Sequence, residues 1–127
     1  MTDKYYITTP IYYVNDKPHI GHAYTSVATD FIARFMRLND YDVRFQTGTD
    51  EHGLKIQKAA ESKGKEPLEL CDENSRIFRD LTTTLDLSND DFIRTTEQRH
   101  IDGASFLWNR LHERNQIYLG EYTGWYS

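Results

Sequence analysis

The sequence predicts an α/β fold with a parallel sheet, on three observations. Residues 5–13 are rich in aromatic and β-branched side chains, which favour strands. Apolar residues then recur at spacings of three and four from Val27 to Met36, which is the period of a helix. Residues 43–47 again have the composition of a strand. A strand, a helix and a second strand in this order are typical of a βαβ unit, whose two strands are parallel.

Turn residues bound these three elements. The first strand is followed by the turn Asn15–Pro18, and we expect the helix to run from near His22 to about Leu38. Asn39 and Asp40 then end it, and the second strand ends at Gly48. The apolar stripe of the helix consists of Val27, Ala28, Phe31, Ile32, Phe35 and Met36.

The rest of the chain is predicted to be mainly helical. The predicted elements are a helix at 54–63, a helix from Pro67 to about Leu85, a strand at 91–95 and a helix at about 97–114. Gly64 is a common C-cap residue, and Pro67 suits the first turn of a helix. Residues 117–127 are aromatic and contain glycine, which predicts short strands joined by a turn. This change of composition predicts a boundary near Asn115.

Composition limits the classes of protein that fit the chain. Its 127 residues and 38% hydrophobic content suffice for one domain-sized core. A net charge of −5 argues against a broad nucleic-acid-binding face. The single cysteine, Cys71, lies among apolar residues, which predicts a buried thiol in a reducing compartment. Met1–Lys4 lacks an apolar signal segment and no apolar run could span a membrane, so we expect a soluble, cytoplasmic protein.

The stretch from Pro18 to His22 lies between the first predicted strand and the first predicted helix. Unpaired N–H groups and the positive end of the helix dipole meet at such a helix N-terminus, which favours an anion such as phosphate. His19 and His22 add two imidazoles, and Gly21 allows a nucleotide to approach the backbone closely. A single histidine here is more typical of a turn or cap residue, but the pair in this context favours phosphate binding.

Asp50 follows the second predicted strand. Because the carboxyl ends of parallel strands meet at one edge of a sheet, we expect Asp50 to lie near His19 and His22. Its carboxylate can bind an ammonium group through a charge-assisted hydrogen bond, or it can cap the next helix, and both roles remain open. Glu51 and His52 adjoin it, but three consecutive residues seldom point the same way, so we predict no metal site there.

Two motifs make the chain resemble a known family. Residues 19–22 read HIGH, the signature of class I aminoacyl-tRNA synthetases, and residues 48–53 read GTDEHG, which is similar to a loop of the methionyl-tRNA synthetases. The resemblance extends from Ile7 to Tyr126. It implies that residues 1–115 form the first half of a Rossmann-like, nucleotide-binding catalytic domain and that residues 116–127 begin a connective insertion. The chain is then expected to be the N-terminal portion of a longer enzyme.

The resemblance also implies an activity. Members of this family activate L-methionine with ATP and Mg²⁺, form methionyl-adenylate and transfer methionine to tRNA(Met). The residues carried over are His19 and His22 as catalytic, His19, Gly21 and His22 for ATP, and Pro10, Ile11, Tyr13 and Asp50 for methionine. The tRNA is expected to bind mainly through regions outside this chain, so the isolated chain should be severely impaired. Ser127 stands where many relatives begin a set of zinc-binding cysteines, so we expect no zinc.

Other classes of protein remain as alternatives. Another nucleotidyltransferase with an HxGH turn would share the phosphate chemistry but lack the GTDEHG loop. A cysteinyl-tRNA synthetase would need cysteine ligands for zinc that Cys71 alone does not supply. A synthetase-like module that binds without turnover is opposed by the intact histidine pair and Asp50. A dinucleotide-dependent oxidoreductase needs a GxGxxG run, which the sequence lacks.

Overall fold

The computed structural model describes residues 2–125, in which strands and helices are interspersed along the chain. The elements in chain order are β1 (Lys4–Thr8), β2 (Tyr12–Tyr13), α1 (Ile20–Leu38), β3 (Asp42–Asp50), α2 (Leu54–Ser62), α3 (Pro67–Thr84), β4 (Asp91–Arg94) and α4 (Gln98–Glu113). The chain divides into two compact units, one ending at Glu97 and one beginning at Gln98. No helix within residues 2–125 has both the length and the apolar character that crossing a membrane requires.

Strand β3 is the centre of the sheet in the first unit, and each of its pairings is parallel. Strand β1 pairs with its first half, β2 with its last two residues and β4 with residues 46–49. The carbonyl of Gln46 accepts the N–H of Thr9, whereas the carbonyl of Thr49 accepts the N–H of Thr95. Carbonyls alternate in direction along a strand, so β1 and β4 lie on opposite edges of β3. Thr49 is opposite both Tyr12 of β2 and Arg94 of β4, so β2 lies on the same edge as β1. The predicted α/β fold with a parallel sheet is confirmed.

The first strand was predicted as one segment, 5–13, and this prediction is wrong because the strand is interrupted between β1 and β2. Thr8 and Tyr12 are four residues apart, but their partners Gln46 and Thr49 are only three apart. One extra residue therefore bulges out of the ladder. Pro10 lies in this gap, and it has no N–H to donate to a neighbouring strand.

Helix α1 packs on β1 and β3 with a polar face rather than an apolar one. Its buried residues are Ser26, Thr29, Asp30 and Ala33. The predicted apolar stripe is exposed instead: the exposed fractions of Val27, Phe31, Ile32 and Phe35 lie between 41% and 71%. Helical spacing identified the stripe but not the face that packs, because burial depends on the elements around the helix.

Asp30 allows the polar face of α1 to be buried. Its carboxylate accepts the N–H and the hydroxyl of Ser88, at 2.7 and 2.6 Å, and the Nε–H of Arg34 at 2.7 Å. Burial alone would raise the pKa of Asp30, but the hydrogen bonds from Ser88 and Arg34 bring it below its ordinary value. Polar contacts therefore hold the middle of α1 to the loop that follows α3.

The apolar core of the first unit combines side chains from β2, β4, α2, α3 and the turn after β2. Its members are Tyr12, Val14, Ile56, Cys71, Phe78 and Phe92. Cys71 is a free and buried thiol, as predicted. Burial, followed by the nearby charge of Glu51, raises the pKa of Cys71 to about 11, so the thiol stays protonated at neutral pH.

The later elements begin and end close to their predicted positions. Helix α2 is followed by Gly64 at a φ of +63°, and α3 begins with Pro67 in its first turn. The short strands predicted at 117–127 are not formed, because residues 116–125 contain no helix or strand. A strand needs a neighbour with which to share hydrogen bonds, and aromatic composition alone does not supply one. Tyr126 and Ser127 lie outside the described residues.

Gly48 lies opposite Ile93 where β3 and β4 approach each other. A Cβ added to Gly48 would lie 2.0 Å from the carbonyl oxygen of Ile93, a backbone atom that cannot move independently. We predict that Gly48→Ala lowers the free energy of unfolding by at least about 2–3 kcal/mol. Urea unfolding of the longest chain that the gene encodes would measure this loss.

Gly103 provides the matched control. It lies in α4 with no other atom within 4 Å of an added Cβ. Gly103→Ala should leave stability unchanged or raise it by roughly 0.5–1 kcal/mol, because alanine favours helices. Equal stabilities of the two variants would contradict the close approach at Gly48.

Candidate active site

The histidines of the HIGH run begin helix α1. His19 is the N-cap residue, and its Nδ1 accepts the N–H of Gly21 at 3.1 Å. In return, the N–H of His19 donates to Nδ1 of His22 at 3.0 Å. The two side chains therefore form a reciprocal capping box, a role that is more often performed by serine or threonine with glutamate.

This hydrogen-bond network determines which nitrogen of each ring carries the proton. A neutral imidazole has one N–H donor and one acceptor, so a ring whose Nδ1 accepts carries its proton on Nε2. The two rings lie close together, with 3.9 Å between their centroids. Burial, followed by the proximity of His19, holds the pKa of His22 below its ordinary value. The cap thus leaves two Nε2–H groups as donors for a ligand.

Gly21 also leaves room for the ring that caps the helix. A Cβ added to Gly21 would lie 2.9 Å from Cε1 and 3.1 Å from Nδ1 of His19. The sequence suggested that Gly21 makes room for a nucleotide, and the structure adds that it makes room for the His19 ring. This reason could not be predicted, because it depends on the orientation of the ring.

Two aromatic residues that the sequence did not single out hold His22. Its ring contacts Tyr12 edge to face at 4.9 Å and Phe78 at 5.1 Å, measured between ring centroids. Tyr12 stacks on Phe78, and its hydroxyl lies 2.9 Å from the Oγ of Ser26. Alternation along the strand could have indicated that Tyr12 faces inward, but no local pattern connects Phe78 on α3 to a turn so distant in sequence.

A cleft of about 290 Å³ opens beside the two histidines, and we call it the histidine cleft. Its lining residues are Ile11, Tyr12, Tyr13, Asn15, Asp16, Lys17, His19 and His22. Of the site residues predicted from the sequence, the structure therefore brings Ile11, Tyr13, His19 and His22 together. Pro10, Gly21 and Asp50 do not line this cleft.

Asp50 is the last residue of β3 and lies opposite Tyr13, the last residue of β2. Its Oδ1 accepts the N–H of His52 at 3.3 Å. The alternative role of Asp50 as a helix cap is wrong, because Gly53 is the N-cap residue of α2. Tyr13 thus joins the two parts of the site, since it lines the histidine cleft and pairs with Asp50.

Glu51 is buried completely and binds Arg94 with both carboxylate oxygens. The Nε–Oε1 distance is 2.7 Å and the Nη2–Oε2 distance is 2.9 Å. The hydroxyls of Thr49 and Thr96 donate to the same carboxylate. The hydrogen bond to Glu51 holds the pKa of the Arg94 guanidinium above its ordinary value. Glu51 is therefore a structural residue that joins the ends of β3 and β4, a role that the sequence did not predict.

His52 also joins these two ends, since its Nε2 lies 3.3 Å from the carbonyl oxygen of Thr95. In residues 2–125 no group of three histidine, cysteine, aspartate or glutamate side chains could hold a metal ion. Chemically, the site offers N–H donors at the start of α1 and a carboxylate at the end of β3. The donors suit phosphate oxygens, and the carboxylate suits an ammonium group.

Comparison with known proteins identifies the family. Residues 5–127 match the family described as "tRNA synthetases class I (M)". Methionine–tRNA ligases of Rickettsia conorii and Rickettsia bellii are 59% and 58% identical over all 127 residues, and the chain spans about 25% of their length.

The fold agrees with this match. The chain resembles the structure of Mycobacterium tuberculosis methionyl-tRNA synthetase in complex with methionyl-adenylate, with a TM-score of 0.91 and 50% identity. The similarity covers 99% of this chain and 25% of that protein. The chain therefore belongs to the class I tRNA synthetases of the methionine type.

Proposed function

We propose that this chain is part of an enzyme that activates L-methionine with ATP and transfers the methionine to tRNA(Met). The observation that supports the proposal is the pairing of Tyr13 with Asp50, because Tyr13 lines the histidine cleft and Asp50 carries a carboxylate at the end of the adjacent strand. The names of the relatives support methionine as the amino acid. Because the chain spans about a quarter of the length of these relatives, the complete reaction is assigned to the longer protein.

Activation joins the methionine carboxylate to the α-phosphorus of ATP, and pyrophosphate leaves as the bond to the bridging oxygen breaks. The substrate carboxylate is the nucleophile, so the enzyme needs no covalent intermediate. Its task is to orient the two substrates and to stabilise the charge that develops on the phosphate. His19 and His22 are assigned to this charge as Nε2–H donors, and Gly21 to ATP binding. ATP enters as its Mg²⁺ complex.

Asp50 is assigned to the α-ammonium group of methionine. Pro10, Ile11 and Tyr13 are assigned to the methionine side chain. Ile11 and Tyr13 line the histidine cleft. An unbranched thioether is recognised by apolar and aromatic surfaces, because its sulfur is polarisable and only a weak acceptor. We assign no zinc to these residues.

We further propose a cytoplasmic location, which agrees with a free, buried cysteine. The exposed apolar stripe of α1 supports the expectation that the isolated 127 residues are severely impaired. Residues 1–115 are assigned to the first half of the catalytic domain and residues 116–127 to the start of the connective insertion. The tRNA is assigned mainly to regions of the longer protein.

The test of this function is amino-acid-dependent exchange of labelled pyrophosphate into ATP by the longest chain that the gene encodes. We predict exchange with methionine and none with cysteine, valine, leucine or isoleucine. Exchange driven by another amino acid would contradict the assigned substrate. Absence of exchange with every amino acid, from a folded protein, would contradict the assigned reaction.

His22 and Asp50 should affect different steps. His22→Asn keeps an acceptor for the cap but removes the Nε2–H donor, so it should slow adenylate formation by about 10²–10³-fold with methionine affinity nearly unchanged. Asp50→Asn should weaken methionine binding by roughly 10–100-fold, because it removes a charge-assisted hydrogen bond. Equilibrium binding and single-turnover adenylate formation measure the two effects.

His22→Gln is the matched control, because its amide oxygen can accept the N–H of His19, as glutamine does in a capping box, while its amide nitrogen can donate in place of Nε2. It should retain more adenylate formation than His22→Asn with a similar stability. Equal effects of His22→Asn on both measurements would contradict its assigned role. Unchanged methionine affinity in Asp50→Asn would contradict the ammonium contact.

A further inference from the structure

A second polar cleft, of about 290 Å³, lies between α3 and the end of β4, and we call it the α3–β4 cleft. Its lining residues are Asp72, Ser75, Arg76, Arg79 and Arg94. The α3 residues recur at spacings of three and four, so they share one face of the helix. No residue of this cleft lines the histidine cleft or is assigned to contact a substrate of the activation step.

Two of the three arginines are held by neighbours and the third is free. Arg94 is fixed by its carboxylate partners. Arg79 lies over the ring of Phe92, with its guanidinium carbon 4.8 Å from the ring centroid. Arg76 is exposed and has no ion pair or hydrogen bond among the residues that the structure describes. The cleft therefore combines oriented guanidinium groups with one that is available to a ligand.

The α3–β4 cleft has surplus positive charge. Its three guanidinium groups are opposed by the carboxylates of Glu51 and Asp72, and both of these bind Arg94. The chain as a whole carries a net charge of −5, so a cationic cleft stands out on its surface. A planar guanidinium can donate two parallel hydrogen bonds to phosphate oxygens. The charge and the geometry of the cleft both favour a phosphate group.

The cleft lies at the same end of the sheet as Asp50. Arg94 is opposite Thr49, which immediately precedes Asp50, and β4 occupies the edge of β3 that faces away from β2. The α3–β4 cleft and the histidine cleft therefore flank the end of β3 from opposite sides. A nucleic-acid strand that reaches the end of β3 from the side of β4 passes the α3–β4 cleft.

We propose that the α3–β4 cleft binds a backbone phosphate of the tRNA strand that receives methionine. Arg76 and Arg79 contact the phosphate, and Arg94 supplies a fixed charge behind them. This inference rests on the proposed function, because it takes its ligand from the second step of that reaction. It adds a local phosphate contact to a chain whose net charge of −5 argues against a broad nucleic-acid-binding face.

The test is binding of uncharged tRNA(Met) to the full-length enzyme over a range of salt concentrations. Each phosphate contact contributes about 0.7–0.9 to the slope of log K against log salt concentration. Arg76→Gln should reduce the slope by about this amount and raise the KM for tRNA severalfold. Methionine-dependent pyrophosphate exchange should stay unchanged in this variant, which also shows that it is folded.

Lys58→Gln is the matched control, because it removes one positive charge from the exposed surface of α2. It should leave the slope unchanged. Equal slopes for Arg76→Gln and Lys58→Gln would overturn the proposal. A raised KM for pyrophosphate in the exchange assay of Arg76→Gln would also overturn it, since the phosphate would then be a small molecule. Failure of exchange in the unsubstituted enzyme would instead refute the proposed function.

Discussion

The buried ion pair between Glu51 and Arg94 is the interaction on which the geometry of the site depends. It joins the segment after β3 to the end of β4, and the hydroxyls of Thr49 and Thr96 donate to the same carboxylate. A buried carboxylate without these partners would be strongly destabilising, so these contacts hold the ends of β3 and β4 together. Asp50 immediately precedes Glu51, so the ion pair also sets the position of the carboxylate assigned to methionine.

At the start of α1, the same two histidine side chains cap the helix and provide N–H donors. The hydrogen bonds that cap the helix use Nδ1 of both histidines, and they leave both Nε2–H groups as donors. The same contacts therefore begin the helix and prepare the donors assigned to the phosphates of ATP. Tyr12 and Phe78 hold the His22 ring, so the donor is ordered before any ligand binds, as electrostatic stabilisation requires.

The parallel sheet, the helices and the position of the histidine turn were predictable, because periodicity and turn residues act over short distances. The interruption at Pro10 was missed because it depends on the register with β3. The exposed stripe of α1 was missed because helical spacing does not reveal which face is covered. The pairing of Glu51 with Arg94 joins residues far apart in sequence, and no local pattern indicates it.

The most direct test of this account is a double-mutant cycle on the unfolding free energy of the full-length enzyme, with Glu51→Met, Arg94→Met and the double variant. Arg94→Met leaves the Glu51 carboxylate buried without its ion-pair partner and should cost about 3–5 kcal/mol. Glu51→Met should cost less, because the partly exposed Arg94 keeps Asp72 as a partner. The double variant removes both charges, so its loss should be clearly smaller than the summed losses of the single variants. Additive losses would show that the two residues act independently, and they would contradict the dependence of the strand ends on this ion pair.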